Sequence, residues 1–444
     1  MPHGIGRYLR SGFPRSEATG VEKRAPSMPP PPQPPFQYDY FAAPTGTPLG
    51  SGALESPWDI ATVIAGGTAG QIVPGKHIGY RGGQYISGSA KRFTIAGQKS
   101  TGYNDQAGKI IHRNYNGEHV EWICDSASKG VEVIQIAAAF NWFWGIDAWR
   151  KHTDRYGYPG PGSVWYIQNA SQDGVQILHC LGHEGSNGLF TDSAIGNVRI
   201  LGCVFYHSGV STGPRAHAFY IHHTRDSGSI GSRFLLSDCI TFDCLGNCGQ
   251  IFASGAPEQL DDIDVLWLIT WGGGIVSNPA AGGPQVNLTF GGTDSANIPL
   301  RGFTARNVIS RNPAGYGSAN LRFFNVASTG QDAICEDAYL VGGFSGGNGR
   351  LTIQQMNWNS FQARRNTMIN LNNQPIIETD DTVYTPYTVW EDQAFFGTDP
   401  TALRWRSGPG FTDRTWAAWK TFTGLGNAAG HADTAQTTLP TSAK

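Results

Sequence analysis

Three residues able to move protons or hold a sugar hydroxyl recur at one place in three similar runs. They are Glu184 in "VQILHCLGHEGSNG", His207 in "VRILGCVFYHSG" and Asp243 in "FLLSDCITFDCLG", each four positions after a cysteine: Cys180, Cys203 and Cys239. If the runs are stacked strands, equivalent positions lie about 4.8 Å apart. Glu184 and Asp243, two rungs apart, would then stand about 9–10 Å from each other, near the upper end of the carboxylate spacing in inverting glycosidases. An imidazole between them can shuttle a proton or bind a hydroxyl, so Glu184, His207 and Asp243 are the candidate catalytic residues. The competing reading is that these are polar turn residues, which any repeat forces into a row.

"PRAHAFYIHHTRD" is a second cluster, and Arg215, His217, Tyr220 and His222 are its candidate substrate contacts. Strand parity puts Tyr220 and His222 on one face and His217 on the other, so the histidines match no ligand spacing and no metal site is expected. Trp142, Trp144 and Trp149 add an aromatic concentration suited to the apolar faces of sugar rings. Alternate aromatics of this stretch should instead fill a core. No P-loop, H-E-x-x-H or dinucleotide fingerprint occurs.

The elements that position these residues follow from the repeat. "GVQILHC" and "NVRILGC" align with a 23-residue spacing and no gap; the next step, 36 residues, contains a 13-residue excursion around "SGVSTGPRAHAF". Aligned backward, "GVEVIQIAAAFNWFWG" matches Asn141 to Glu184. Short apolar alternations with a period in the low twenties predict a parallel β-helix whose cysteines form an inward ladder without disulfides. "ESPWDIATVIAGG" predicts a short helix with Ser56 as N-cap, Pro57 at its first position and Gly66 as stop, covering the open end of the strand stack. Trp416 and Trp419 predict a closing helix near the other end. The organisation expected is a basic, Pro-rich arm over 1–36, an N-terminal cap with first strands over 37–104, a parallel β-helix over 105–380, and a closing module with a loose tail over 381–444.

Composition agrees with a turn-rich all-β chain: 59 of 444 residues are Gly and only 15% are charged. A net charge of -2 gives no basic surface for nucleic acid, and no apolar run of membrane-spanning length occurs. No apolar segment follows the early Arg7, Arg10 and Arg15, so no secretory signal is expected. "MPPPPQPPF" favours extended polyproline geometry, which with the basic stretch before it suits an arm that docks on a partner.

On "YFAAPTGTPLGSG", "SPWDIATVIAGG", "VPGKHIGYRGGQY", "WFWGID" and "HAFYIHH", with the closing pattern of tryptophans, the chain resembles the right-handed parallel β-helix repeat proteins of the pectate-lyase-like superfamily. The resemblance spans roughly residues 38–425. It implies an all-β, right-handed parallel β-helix and a polysaccharide as partner. The superfamily holds lyases, hydrolases, epimerases, phage tailspikes and noncatalytic proteins. It often reads His-Gly-Ile-Tyr where this chain has His217-Ala218-Phe219-Tyr220. Ca²⁺ is the cofactor the resemblance brings, but no ligands for it are assignable, and the lysine or arginine base of uronate lyases has no matching position. The sequence therefore leads to a polysaccharide-recognising, noncatalytic or weakly catalytic component of a virion or cell-surface assembly, anchored by residues 1–36 and compatible with a homo-oligomer. The alternative is a polysaccharide lyase or glycoside hydrolase with a groove along the solenoid.

Overall fold

The computed structural model describes residues 36–88, 92–96, 108–126, 130–151, 162–168, 174–191, 195–209, 216–222, 234–253, 260–273 and 286–292. It further describes 300–311, 319–325, 330–342, 351–354, 360–370, 375–379, 389–397, 404–407, 412–415, 418 and 434–436. Residues 1–35 of the arm expected over 1–36, with Arg215, Trp416 and Trp419, lie outside the described residues.

Among the described residues the strands form three twelve-stranded sheets, and from His77–Tyr80 to Arg404–Ser407 successive strands visit them in turn. The first sheet holds Gln176–Leu178 and Val198–Leu201, the second Leu181–His183 and Val204–Tyr206, the third Leu189–Thr191 and Phe219–Ile221. Among the described strands every pairing is parallel except that of Arg404–Ser407 with Thr412–Arg414 at one end of the third sheet. This is a parallel β-helix, as the repeat predicts. Alternate side chains of all three sheets turn inward into one continuous core.

The cysteine repeat has a simple cause. The corner from the first to the second sheet is two residues long, and its first residue is left-handed: His179 (φ 50°), Gly202 (φ 65°) and Asp238 (φ 56°). That twist aims the next side chain at the core, which places Cys180, Cys203 and Cys239 on the axis side, fully buried. All seven cysteines are buried and none is in a disulfide, as the ladder reading expects.

Four details of the sequence reading are corrected. Asn141 is not the partner of Glu184: Trp149 pairs with His183, so the preceding rung offers Arg150 at that place. "VIQI" belongs to the third sheet (Ile134–Ile136) and not the first, and apolar alternation alone does not distinguish them because every sheet buries one side. The 13-residue excursion is not one loop but is shared between the connections on either side of Phe219–Ile221. The terminal helix is Ile60–Ile64, capped by Asp59 and not Ser56; the Asp59 carboxylate accepts the Thr62 N–H at 2.7 Å. Gly66 ends it with a φ of 98°, as expected. Beside it Trp58 is wholly buried, donating from Nε1 to the Gly50 carbonyl.

Candidate functional site

The second sheet carries the site. Its inward column includes Trp122, Ala148 and Phe205, all with no exposed surface, and Gly182, whose missing side chain leaves room for the rings of Phe205 and Trp165. The outward column, in register, is Trp149, His183, Tyr206, Phe242 and Trp271. These five rings form a stack: centroids lie 5.9, 4.6, 5.1 and 4.6 Å apart, with interplanar angles of 16° or less. Each contact is worth about 0.5–1.5 kcal/mol beyond area burial. Rings stacked along the solenoid turn their faces to one another, so the solvent meets a strip of ring edges.

One residue further on, the left-handed region is used again. Glu184 (φ 59°), His207 (φ 49°) and Asp243 (φ 54°) occupy it on three successive rungs, a conformation costing non-glycine residues roughly 1–2 kcal/mol each. Their side chains meet. His207 Nδ1 lies 3.0 Å from Glu184 Oε1 and its Nε2 2.6 Å from Asp243 Oδ2. An imidazolium donates to both carboxylates in this geometry; a neutral ring satisfies both contacts only if one carboxyl carries a proton. All three side chains remain between a fifth and two-fifths exposed.

At the other end of the strip lies a cluster that the sequence reading did not find. Asp147 is bracketed by two histidines, with His119 Nε2 3.2 Å from Oδ2 and His183 Nε2 3.1 Å from Oδ1. Glu121, in register with Asp147, accepts the Trp149 indole N–H at 3.2 Å. His183 links the clusters, since its ring also stacks on Trp149 and Tyr206. The Tyr206 phenol is pushed up to about 12, first by burial and then by the charges of Asp147 and Glu184, so it stays a neutral hydrogen-bonding group.

The other expected contacts are scattered. Trp149 joins the strip, but Trp142 and Trp144 point from the first sheet, around the corner. Lys109 Nζ sits 3.5 Å above the Trp142 ring, and the Arg113 guanidinium lies 4.3 Å from the Trp144 centroid. Both are cation–π contacts. Tyr220 and His222 face out from the third sheet, where Tyr220 continues a row with Tyr166 and Phe190. His217 is corrected from a sugar contact to a corner residue. It is buried, its N–H donates to Asn187 Oδ1 at 3.1 Å, and its Nδ1 accepts the Asn247 N–H at 3.1 Å. Asn247 Oδ1 accepts the Val286 N–H in turn, so His217 occupies an asparagine position in an internal ladder. The described members of the proposed contact set thus divide among three faces.

No family model matches the chain, and no curated protein sequence does. Its structure is similar to a pectate lyase, Pel9A, at 13% identity and a TM-score of 0.49, covering 81% of this chain and 75% of that one. It is similar to a rhamnogalacturonan lyase at 12% identity and a TM-score of 0.48, with 80% of each chain covered. The A-module of a mannuronan C-5 epimerase from Azotobacter vinelandii shows 12% identity and a TM-score of 0.43, over 79% of this chain and 82% of that one. By its own strand register, the chain is a parallel β-helix.

Proposed function

We propose that the chain binds a polysaccharide along the outer face of the second sheet, with Glu184, His207 and Asp243 as the polar rim of the binding strip. The observation that carries this reading is the adjacency of the two features: Tyr206 and His207 are consecutive, one in the ring stack and one in the charged line. A sugar chain presents apolar C–H surfaces and hydroxyl edges together; the strip of ring edges offers the first an apolar contact surface, without face stacking, and the carboxylates accept from the second. His207 fills the gap between the two carboxylates, the space an inverting hydrolase keeps for its attacking water. Binding therefore fits this geometry better than hydrolysis.

The experiment is calorimetric titration with a panel of acidic and neutral polysaccharides, alongside mass spectrometry of any products. His207→Ala, and Glu184→Gln with Asp243→Asn, should each lower affinity at least about tenfold, or 1.4 kcal/mol, with no fragments formed. Unsaturated fragments would replace this reading with a lyase, and water-added fragments with a hydrolase. A chain that binds none of the panel overturns it. Presentation on a virion or cell-surface assembly through residues 1–36 belongs to the same proposal, supported by the basic and polyproline composition of that segment. Deleting it should abolish assembly and leave glycan affinity unchanged.

A further inference from the structure

We infer that His119, Glu121 and Asp147 form a binding site for a divalent first-row transition cation, open to solvent on the second sheet. The three residues offer one ligand atom each, and these atoms all lie within 4.8 Å of one another. Metal–ligand bonds of about 2.0–2.2 Å bring ligand atoms to roughly 3–4 Å separation, so a small movement closes the set. His119 can supply it, because its side chain is 68% exposed while that of Asp147 is 11% exposed.

The partners behind the ligands are what distinguish this cluster from a chance meeting of polar groups. Metal-binding side chains are normally held by further hydrogen bonds that fix their orientation. Here His183 holds the Asp147 oxygen that His119 does not, at 3.1 Å, which leaves Oδ2 directed at His119. The Trp149 indole N–H holds Glu121 Oε1 and leaves the other oxygen available. His183 and Trp149 are themselves stacked at 5.9 Å, so the two supports are one rigid unit. One imidazole nitrogen and two carboxylates neutralise a divalent charge and suit Zn²⁺, Mn²⁺ or Fe²⁺. Ca²⁺ takes six to eight oxygens and is poorly served by this set. Three protein ligands on an exposed face leave the remaining coordination positions to water or to a ligand's hydroxyls. The site needs no glycan and stands or falls separately from the binding strip.

The test is calorimetric titration of chelator-treated protein with ZnCl₂, MnCl₂ and CaCl₂, repeated with His119→Ala, Glu121→Gln and Trp149→Phe. The chain has 12 histidines, so the variants are needed to separate this site from others. Expected is one Zn²⁺ or Mn²⁺ per chain, bound at least tenfold more weakly in His119→Ala and Glu121→Gln. Trp149→Phe, which keeps a ring in the stack but removes the N–H, should also weaken binding about tenfold. Absence of stoichiometric binding, binding that survives both ligand substitutions, or Ca²⁺ bound more tightly than Zn²⁺ and Mn²⁺ would overturn the inference.

Discussion

His112 makes the stability of this solenoid pH-dependent in a calculable way. It has no exposed surface, stacks on Phe143 at 4.9 Å and 8°, and lies between two polar partners. Tyr80 Oη is 2.9 Å from Nδ1 and Asn141 Oδ1 is 3.1 Å from Nε2. The Asn141 amide nitrogen already donates to the carbonyls of Ala138 and Ala139, so its oxygen must accept from His112 Nε2–H. Nδ1 then accepts the Tyr80 hydroxyl proton, and the ring is neutral. Burial lowers its pKa from 6.5 to about 4, against a smaller opposing effect of the Asn141 hydrogen bond.

A folded-state pKa below the unfolded one means that the unfolded chain binds the proton first. The contribution is fully present above pH 6.5 and is lost as pH falls through 4. At 1.36 kcal/mol per pKa unit, the full effect is about 3 kcal/mol, of which about 2 kcal/mol is lost between pH 7 and 4.5. That is a large share of a typical net stability of roughly 5–15 kcal/mol. The assay is urea unfolding followed by tryptophan fluorescence, since Trp122 lies 6.5 Å from the imidazole, ring centre to ring centre. His112→Gln keeps an amide that can accept from Tyr80 and donate to Asn141 but cannot titrate here. The variant should be less stable than the native chain at pH 7.5, and the gap should narrow by about 2 kcal/mol at pH 4.5. Parallel pH profiles for the two proteins would refute the neutral-histidine account, whatever their absolute stabilities.

Two other predictions are simpler. Burial pushes the Cys180 thiol up to about 12, and all seven cysteines are buried with none in a disulfide. At pH 8 a thiol reagent should therefore label none of them in minutes, and all of them after denaturation; rapid labelling of the native chain would contradict the inward ladder. At the corner, Glu184→Gly should be more stable than Glu184→Ala by about 1 kcal/mol, because a φ of 59° strains any residue with a Cβ. Equal melting curves would remove the left-handed corner from the account.

The parts of this fold legible in the sequence are those where rungs follow one another without insertion. The step from Cys180 to Cys203 is gapless, and the corner geometry is repeated residue for residue, so the cysteine ladder and the row after it could be read directly. Earlier rungs differ in length: Asp147 pairs with Glu121 across 26 residues and with Leu181 across 34. Columns broken this way cannot be aligned by period, which is why His119, Glu121 and Asp147 were not joined. The ring stack was nearer to hand. His183, Tyr206 and Phe242 immediately precede Glu184, His207 and Asp243, so the column that predicted the charged line also contained three of its rings. Ser56-Pro57 is a strong local signal for a helix cap, but Asp59 takes that place by reaching the Thr62 N–H.

Side-chain pairing between neighbouring corners is by itself a weak sign of function. At the first corner, Arg365 and Asp337 stand on successive rungs, both left-handed, and join through two hydrogen bonds of 2.8 Å. Stacking brings any such residues together, and an exposed pair of this kind is worth about 0–1 kcal/mol. Glu184, His207 and Asp243 obey the same geometry. Their difference is where they lie: His207 adjoins a five-ring stack, and through His183 that stack reaches Asp147 and His119. Asp337→Asn is accordingly the control for Asp243→Asn. Both should change stability little, and only the substitution beside the rings should change the affinity for a polysaccharide. If the two behave alike in both measurements, the row is a product of the repeat and the ring strip must act without it.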